Sequence, residues 1–471
     1  MTTPDMLSTA DLTAIDRSSQ LHPFTPARAY SGGSFASRVV TGGKGIRIRE
    51  HGGRELIDAF AGLYCVNVGY GRSEIAQAIS AQAHELAYYH SYAGHSNVPA
   101  ITLAQRILKW APEGMRRVFF GMSGSDANET QVKLVWYYNN VLGRPAKKKI
   151  ISRHRGYHGA TVMSGSMTGL PTYHAAFDLP VAGVLHTTAP HAYWSAPQGM
   201  SELDFSAQCA ADLEALIQHE GPDTVAAFIA EPVLGTGGLV PPPEGYWDAI
   251  QPVLQRHDIL LIADEVITGF GRTGTPFGCH RYGIKPDLIT IAKGLTSGYL
   301  PLSAAIVGDK VWQVVQSGSD QLGAFAHGYT YSAHPLCAAA ANANLDIVEN
   351  EDLVGNAARS GAVLQAALRE RFAEHPHVGE VRGVGLLAAV EFVADREHRV
   401  RFDAADKTGP RLAAACMEHG VIVRAMPFGD VLGFAPPLIV TAADVHEIVD
   451  KVAAAVNDVW PHPSRQAGPS L

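Results

Sequence analysis

Two hydrophobic periods alternate through the middle of this chain. Short unbroken apolar runs, Val225-Ala-Ala-Phe-Ile-Ala, Ile259-Leu-Leu-Ile-Ala and Leu288-Ile-Thr-Ile-Ala, are separated by stretches such as Trp247 to Arg256, where apolar residues recur every three or four positions. The first pattern predicts buried strands, the second helices with one apolar face. The alternation starts earlier, with Arg117-Val-Phe-Phe, the glycine turn Gly121-Met-Ser-Gly-Ser-Asp, a helix over Ala127 to Val141, a strand at Lys149-Ile-Ile-Ser and a helix at Ala211 to Ile217. A last strand is expected within Pro301 to Val307. This order predicts an α/β fold with a largely parallel sheet covered on both faces.

The ends of the chain have a different texture. Met1 to Gln20 is polar and reads as an arm, followed by Leu21-His-Pro-Phe-Thr-Pro, whose prolines favour extended backbone. Gly45-Ile-Arg-Ile-Arg-Glu and Glu55-Leu-Ile-Asp alternate about Gly52-Gly53, as a hairpin does. Helices are expected from Arg72 and over Pro99 to Trp110. After Tyr331 come Ala-rich helices over Leu336 to Val348 and Ala357 to Phe372, a strand over Val384 to Phe392, a helix, the strand Val421-Ile-Val-Arg, a helix from Ala443 to Val459 and a polar tail from Pro461. We expect an arm and β element over 1–74, a large domain over 75–335, and a smaller α+β domain over 336–471 that the N-terminal β element completes.

Two of the apolar runs close on a charge, Asp264 and Lys293. In open α/β sheets the ligand crevice lies outside the carboxyl ends of the strands, so an acid and an amine there are placed for chemistry. The segment between them contains Gly269-Phe-Gly-Arg-Thr-Gly, which matches the dinucleotide fingerprint by letter. That fingerprint needs its last glycine to open a helix, and Thr275-Pro-Phe-Gly predicts a loop instead. His154 and His158 have a metal-ligand spacing, but Gly156 interrupts any helix and no acid follows in a zinc pattern, which argues against a metal site.

Ser123-Gly-Ser125, between a strand and a helix, suits an anion such as phosphate. Its ordinary reading is a serine cap with Asp126 in the first turn. Lys293 alone reads as an exposed strand-end lysine, and Asp264 alone as a helix cap. Together with the aromatic of Tyr157-His-Gly they form the set that pyridoxal phosphate needs. An amine takes the aldehyde, a carboxylate the pyridinium nitrogen, an aromatic the ring face and a helix start the phosphate.

Composition narrows the setting. Over 471 residues, 46% hydrophobic and 17% charged content supports a large buried core. A formal charge of −8 without a long basic block argues against nucleic acid. Cys65, Cys209, Cys279, Cys337 and Cys416 are scattered and lack C-x-x-C spacing, as suits a reducing, cytoplasmic compartment. The first residues carry Asp5, Asp11 and Asp16 rather than the basic start and apolar core of a signal peptide, and no apolar run approaches the ~20 residues of a membrane span.

Asp264-Glu-Val-Ile-Thr-Gly-Phe-Gly-Arg-Thr-Gly and Ala292-Lys-Gly-Leu-Thr-Ser-Gly-Tyr-Leu-Pro-Leu resemble the class III aminotransferases, pyridoxal-phosphate enzymes of fold type I, and the resemblance runs from about His22 to Thr441. Ala61-Gly-Leu-Tyr-Cys-Val-Asn-Val-Gly-Tyr-Gly and His327-Gly-Tyr-Thr-Tyr-Ser-Ala-His-Pro resemble the amine:pyruvate, or omega, type. The resemblance implies Lys293 as the Schiff-base lysine and Asp264 as partner of the pyridinium nitrogen. It implies Ser123, Gly124 and Ser125 at the phosphate, joined by Thr330 from a second subunit, Tyr157 and Val266 on the two ring faces, and Glu231 supporting the Asp264 side.

It further implies a homodimer with shared active sites. Arg424 matches a mobile arginine that holds a substrate carboxylate and swings aside for an uncharged amine, and Phe24, Tyr64, Tyr92 and Ala93 match the substrate pocket. Two features depart from the family pattern: Tyr64 stands where many omega aminotransferases carry tryptophan, and Pro427-Phe428 lengthen the stretch after Arg424. The expected reaction is a ping-pong transfer from an amine or omega-amino acid to pyruvate. The alternatives on the same fold are an aminomutase and a decarboxylase.

Overall fold

The computed structural model describes residues 7–460, so the expected tail from Pro461 lies outside the described residues. Its largest sheet takes seven strands in the order Met115–Gly121, Ser303–Gly308, Leu288–Ile291, Leu260–Asp264, Val225–Ala230, Lys149–Arg153, Val184–Thr187. The last five are mutually parallel. Ser303–Gly308 is antiparallel to both its neighbours. Met115–Gly121 therefore points the same way as the five, and six strands end along one edge.

Period-two alternation assigns the sheet's two faces. Leu260 and Ile262 pack with Val132, Leu134 and Val135 of the helix Gly124–Val141. Leu261 and Ala263 face the other way, onto Trp247, Ile250 and Leu254 of the helix Tyr246–Arg256. Asp264, two residues beyond Ile262, thus emerges on the side of the Gly124–Val141 helix.

Two smaller sheets flank this one. Val378–Val384, Leu387–Phe392, Val431–Phe434 and Arg424–Ala425 form an antiparallel sheet, whose buried residues join those of the helices Leu353–Phe372 and Ala442–Val459 in one core. Val40–Lys44, Arg47–Glu50, Glu55–Asp58 and Val421–Ile422 form the other. The expected N-terminal hairpin is present, with Arg47 opposite Ile57, and Val421 pairs in parallel with Ile57.

Three expectations change. Val421-Ile-Val-Arg is not one strand: its first half joins the N-terminal sheet and Arg424 the C-terminal one, so the chain crosses between sheets there. The strand expected over Val384 to Phe392 is interrupted at Gly385, whose positive φ of 53° lets the chain turn back on itself. Residues Thr9–Ser19 of the expected arm form a helix, capped reciprocally by Ser8 and Asp11, with no buried residue and hence no apolar period to read. Among the described residues no helix is long and apolar enough to cross a membrane.

Candidate active site

Strand register brings the charged residues to one edge. Ala230 lies opposite Ala263, and Asp264 opposite Thr290, so Glu231, Asp264 and Lys293 leave adjacent strands, ~4.8 Å apart, within a few residues of one another. With Ser123, Gly124 and Tyr157 they line a cavity of about 390 Å³. This is where the crevice of an open α/β sheet is expected.

Asp264 is 3% exposed. Its Oδ2 accepts hydrogen bonds from His158 Nδ1 at 2.8 Å and Asn128 Nδ2 at 3.0 Å, and its Oδ1 from the Val266 N–H at 3.1 Å. Asn128 comes from the helix face towards which Asp264 points; its Oδ1 accepts the Thr290 hydroxyl at 2.7 Å. The His158 backbone N–H donates to Thr168 Oγ1 at 2.9 Å, and the ring's Nε2 has no hydrogen-bond partner among the described residues. Among the described residues the one side chain of opposite charge paired with Asp264 is this histidine, when it is protonated. Sequence reasoning missed both supports: His158 was weighed only as a metal ligand, and Asn128 carried no signal beyond being a polar residue inside a helix.

Lys293 sits just past its strand in a one-turn helix, Lys293–Leu295, at a φ of 44° that a side-chain-bearing residue adopts at a cost. Burial lowers its proton affinity, against the opposing pull of nearby Cys65, Asp264 and Glu231. Glu231, raised chiefly by burial, makes no hydrogen bond to Asp264. Its carboxylate instead accepts the Tyr157 N–H at 3.0 Å and the Gly235 N–H at 2.8 Å, so it fixes the backbone beneath the tyrosine.

At the helix start, Ser123 and Asp126 cap each other: Ser123 Oγ accepts the Asp126 N–H at 3.2 Å, and Asp126 Oδ2 accepts the N–H groups of Ser123 and Met122. The ordinary capping reading therefore holds for the Ser123 hydroxyl. The N–H groups of Gly124 and Ser125 still belong to the first turn, which has no intrahelical acceptor for them. Gly124 is tightly covered by Val266, since a Cβ there would lie 3.0 Å from Val266 Cγ2.

Around the mouth, the Tyr157 ring meets Tyr173 at 5.3 Å, and Tyr173 meets Phe24 at 4.9 Å. Tyr64 is buried against Phe60 at 4.4 Å, and the Arg424 guanidinium lies 5.7 Å from the same Phe60 ring. Arg424 is close enough to act electrostatically on Tyr64, Tyr157 and Lys293. Phe24, Tyr64 and Arg424 stand outside the lining of the cavity, and so do Tyr92, Ala93 and Thr330; these last three are exposed, and the Thr330 carbonyl accepts the Tyr88 hydroxyl at 2.7 Å. The glycine loop after Asp264 is a connection. Buried Arg272 ties it to Asn67 Oδ1 at 2.7 Å, and Glu265 accepts the Gly278 N–H at 2.9 Å.

A family model, Aminotransferase class-III, matches residues 30–456. The uncharacterised aminotransferase y4uB of Sinorhizobium fredii is 61% identical over 95% of this chain and 96% of its own length. The diaminobutyrate–2-oxoglutarate transaminase of Halomonas elongata is 59% identical over 96% and 97% respectively. Among solved structures, a transaminase from directed evolution by ancestral reconstruction superposes with a TM-score of 0.95 at 66% identity, covering 96% of this chain and 99% of that one. The omega transaminase of Pseudomonas jessenii in complex with PMP gives 0.92 at 45%, over 95% and 98%.

Pyridoxal phosphate suits the groups assembled here. A buried carboxylate without a lysine or arginine partner among the described residues calls for a cation in the cavity, the helix start for an anion, and a buried amine for a carbonyl. The chain belongs to the class III aminotransferases of fold type I, and its cofactor is pyridoxal 5'-phosphate.

Proposed function

We propose that the chain moves the amino group of an amine or omega-amino acid to pyruvate, giving a carbonyl product and alanine by a ping-pong sequence. The observation that carries this reading is Arg424, held where the chain crosses between two sheets, beside Phe60 and Tyr64. A guanidinium is built for bidentate carboxylate binding, and the neighbouring rings accept an organic tail.

The cofactor supplies an aldehyde and an electron-withdrawing ring. Lys293 Nζ is the amine that engages it. Burial favours the neutral form of Lys293, so its Nζ would hold the cofactor's aldehyde and could take up and return a proton at the reacting carbon. Asp264 holds a negative charge in a poorly solvated place, and His158 and Asn128 orient it. Gly124 and Ser125 offer N–H groups to the phosphate, with Ser123 beside them and Thr330 of the partner subunit completing the set. Tyr157 and Val266 flank the ring, and Glu231 fixes Tyr157. Phe24, Tyr64, Tyr92 and Ala93 shape the substrate space.

The homodimer is supported by the exposed apolar side chains Tyr89, Val98, Ile101 and Tyr331, neighbours in the chain of the exposed Tyr92, Ala93 and Thr330. In that arrangement the last three residues serve the partner's site. Free cysteines throughout support a cytoplasmic setting.

A half-reaction panel tests the reading. Loss of the cofactor's visible absorbance is followed with β-alanine, taurine, a diamine and an arylalkylamine, and then its recovery with pyruvate, glyoxylate or 2-oxoglutarate. We expect recovery with pyruvate. Recovery with 2-oxoglutarate alone, the acceptor in the name of the Halomonas relative, overturns the pyruvate assignment.

A further inference from the structure

The hairpin that carries Arg424 turns through Pro427-Phe428-Gly429-Asp430. Arg424 pairs with Gly433 and Ala425 with Leu432, and the Met426 N–H closes the ladder on the Val431 carbonyl at 2.9 Å. Two paired residues are a short hold for a long, charged side chain. The tip, four residues on, supplies the rest. The Phe428 ring meets two guanidinium groups, Arg155 at 4.5 Å and Arg401 at 5.6 Å from its centroid.

Arg155 is an unusual partner. It is 8% exposed, burial pushes its pKa down to about 10, and its Nε and one terminal nitrogen have no hydrogen-bond partner among the described residues. A desolvated guanidinium with unmet donors gains more from an aromatic face than an exposed one does. Arg155 also stands two residues before Tyr157, whose backbone Glu231 holds at the cavity wall. The Phe428–Arg155 contact therefore joins the hairpin bearing Arg424 to the segment bearing Tyr157.

We propose that Phe428 is a positioning residue for Arg424: through Arg155 it fixes the hairpin in the register that presents the guanidinium to substrate carboxylates. The inference rests on the reading of Arg424 given above. It ties specificity for carboxylate-bearing substrates to a residue that is itself 37% exposed and outside the cavity.

The test uses the holoenzyme and two substrates, pyruvate and an arylalkylamine without a carboxylate. Phe428→Leu keeps apolar bulk and removes the aromatic face. We expect it to raise KM for pyruvate by about 5–20-fold, the range of a partly desolvated cation–π contact, with kcat and the KM for the amine within twofold of wild type. Phe428→Trp restores the pyruvate KM. Equal losses on both substrates, a fall in kcat, or an unchanged pyruvate KM in Phe428→Leu overturns the proposal. Arg424→Gln separates the two layers: if it leaves the pyruvate KM unchanged, the reading of Arg424 fails, whereas if it raises that KM and Phe428→Leu does not, only the positioning role fails.

Discussion

His158 Nδ1 and Asp264 Oδ2 lie 2.8 Å apart, with side chains 0% and 3% exposed. The pair is held from outside itself: Thr168 Oγ1 accepts the His158 backbone N–H, and Asn128 bridges Asp264 to Thr290 on the next strand. An anion in so dry a place is costly unless hydrogen bonds and a cation meet it. His158 Nδ1 and Asn128 Nδ2, both on Oδ2, hold the carboxylate facing the cavity.

Replacing His158 by Leu, which keeps bulk and removes the donor, should lower the rate of the amine half-reaction about 10–100-fold, the range for losing a hydrogen bond to a charged group. Cofactor absorbance should be retained. Asn128→Leu should act in the same direction, and the double variant should fall short of the product, because both donors share one oxygen. Full additivity in single-turnover rates would show that the two act separately. Asp264→Asn should bind cofactor and lose far more rate than either.

Lys293→Ala should abolish multiple turnover and the visible absorbance of the lysine-linked cofactor. An unchanged spectrum in that variant would remove Lys293 from the reaction. Its left-handed backbone and lowered proton affinity make a second lysine elsewhere a poor substitute, so no rescue is expected from exogenous lysine-bearing peptides.

Much of this site was legible in the sequence because sheets concentrate chemistry where strands end. Asp264 and Lys293 announced themselves by closing apolar runs, and the Gly121 to Asp126 turn by opening a helix. His158 and Asn128 were hidden for a physical reason: they approach Asp264 from a loop and from a helix face, a tertiary proximity that no local period encodes. The division of Val421 to Arg424 between two sheets was equally invisible, since both halves show the same apolar pattern and differ only in their partners. The serine cap that could be read two ways is a capped helix, and its next two residues, Gly124 and Ser125, line the cavity.

Gly124 offers a test of that border. A Cβ there would press on Val266 Cγ2 at 3.0 Å and Cγ1 at 3.3 Å, and a β-branched side chain has little rotamer freedom to yield. Overpacking of this kind costs ~1–3 kcal/mol, so Gly124→Ala should weaken cofactor affinity by roughly 5–100-fold. Val266→Ala in the same chain should recover most of the loss if the clash is the cause. A Gly124→Ala protein that titrates with cofactor like wild type would show that Val266 moves freely.

Acid stability should depend on Glu391, which is fully buried on the strand opposite Val431. Burial alone would raise its pKa. Contact with His191, the Arg382 guanidinium at 2.8 Å and the Trp194 N–H at 2.7 Å outweighs burial and holds the carboxyl down to about 2. A carboxyl whose pKa is lower in the folded than in the unfolded chain stabilises the fold above the unfolded value, near 4.5, and loses that contribution as pH falls towards 2. The displacement corresponds to ~3 kcal/mol. Urea unfolding at fixed protein and cofactor concentration should therefore find Glu391→Gln destabilised by about that amount at pH 7, with the gap to wild type narrowing steadily from pH 4.5 downward. A gap that stays constant to pH 3 would assign the loss to shape and hydrogen-bond geometry, and would remove the charge of Glu391 from the account of how the C-terminal sheet is held.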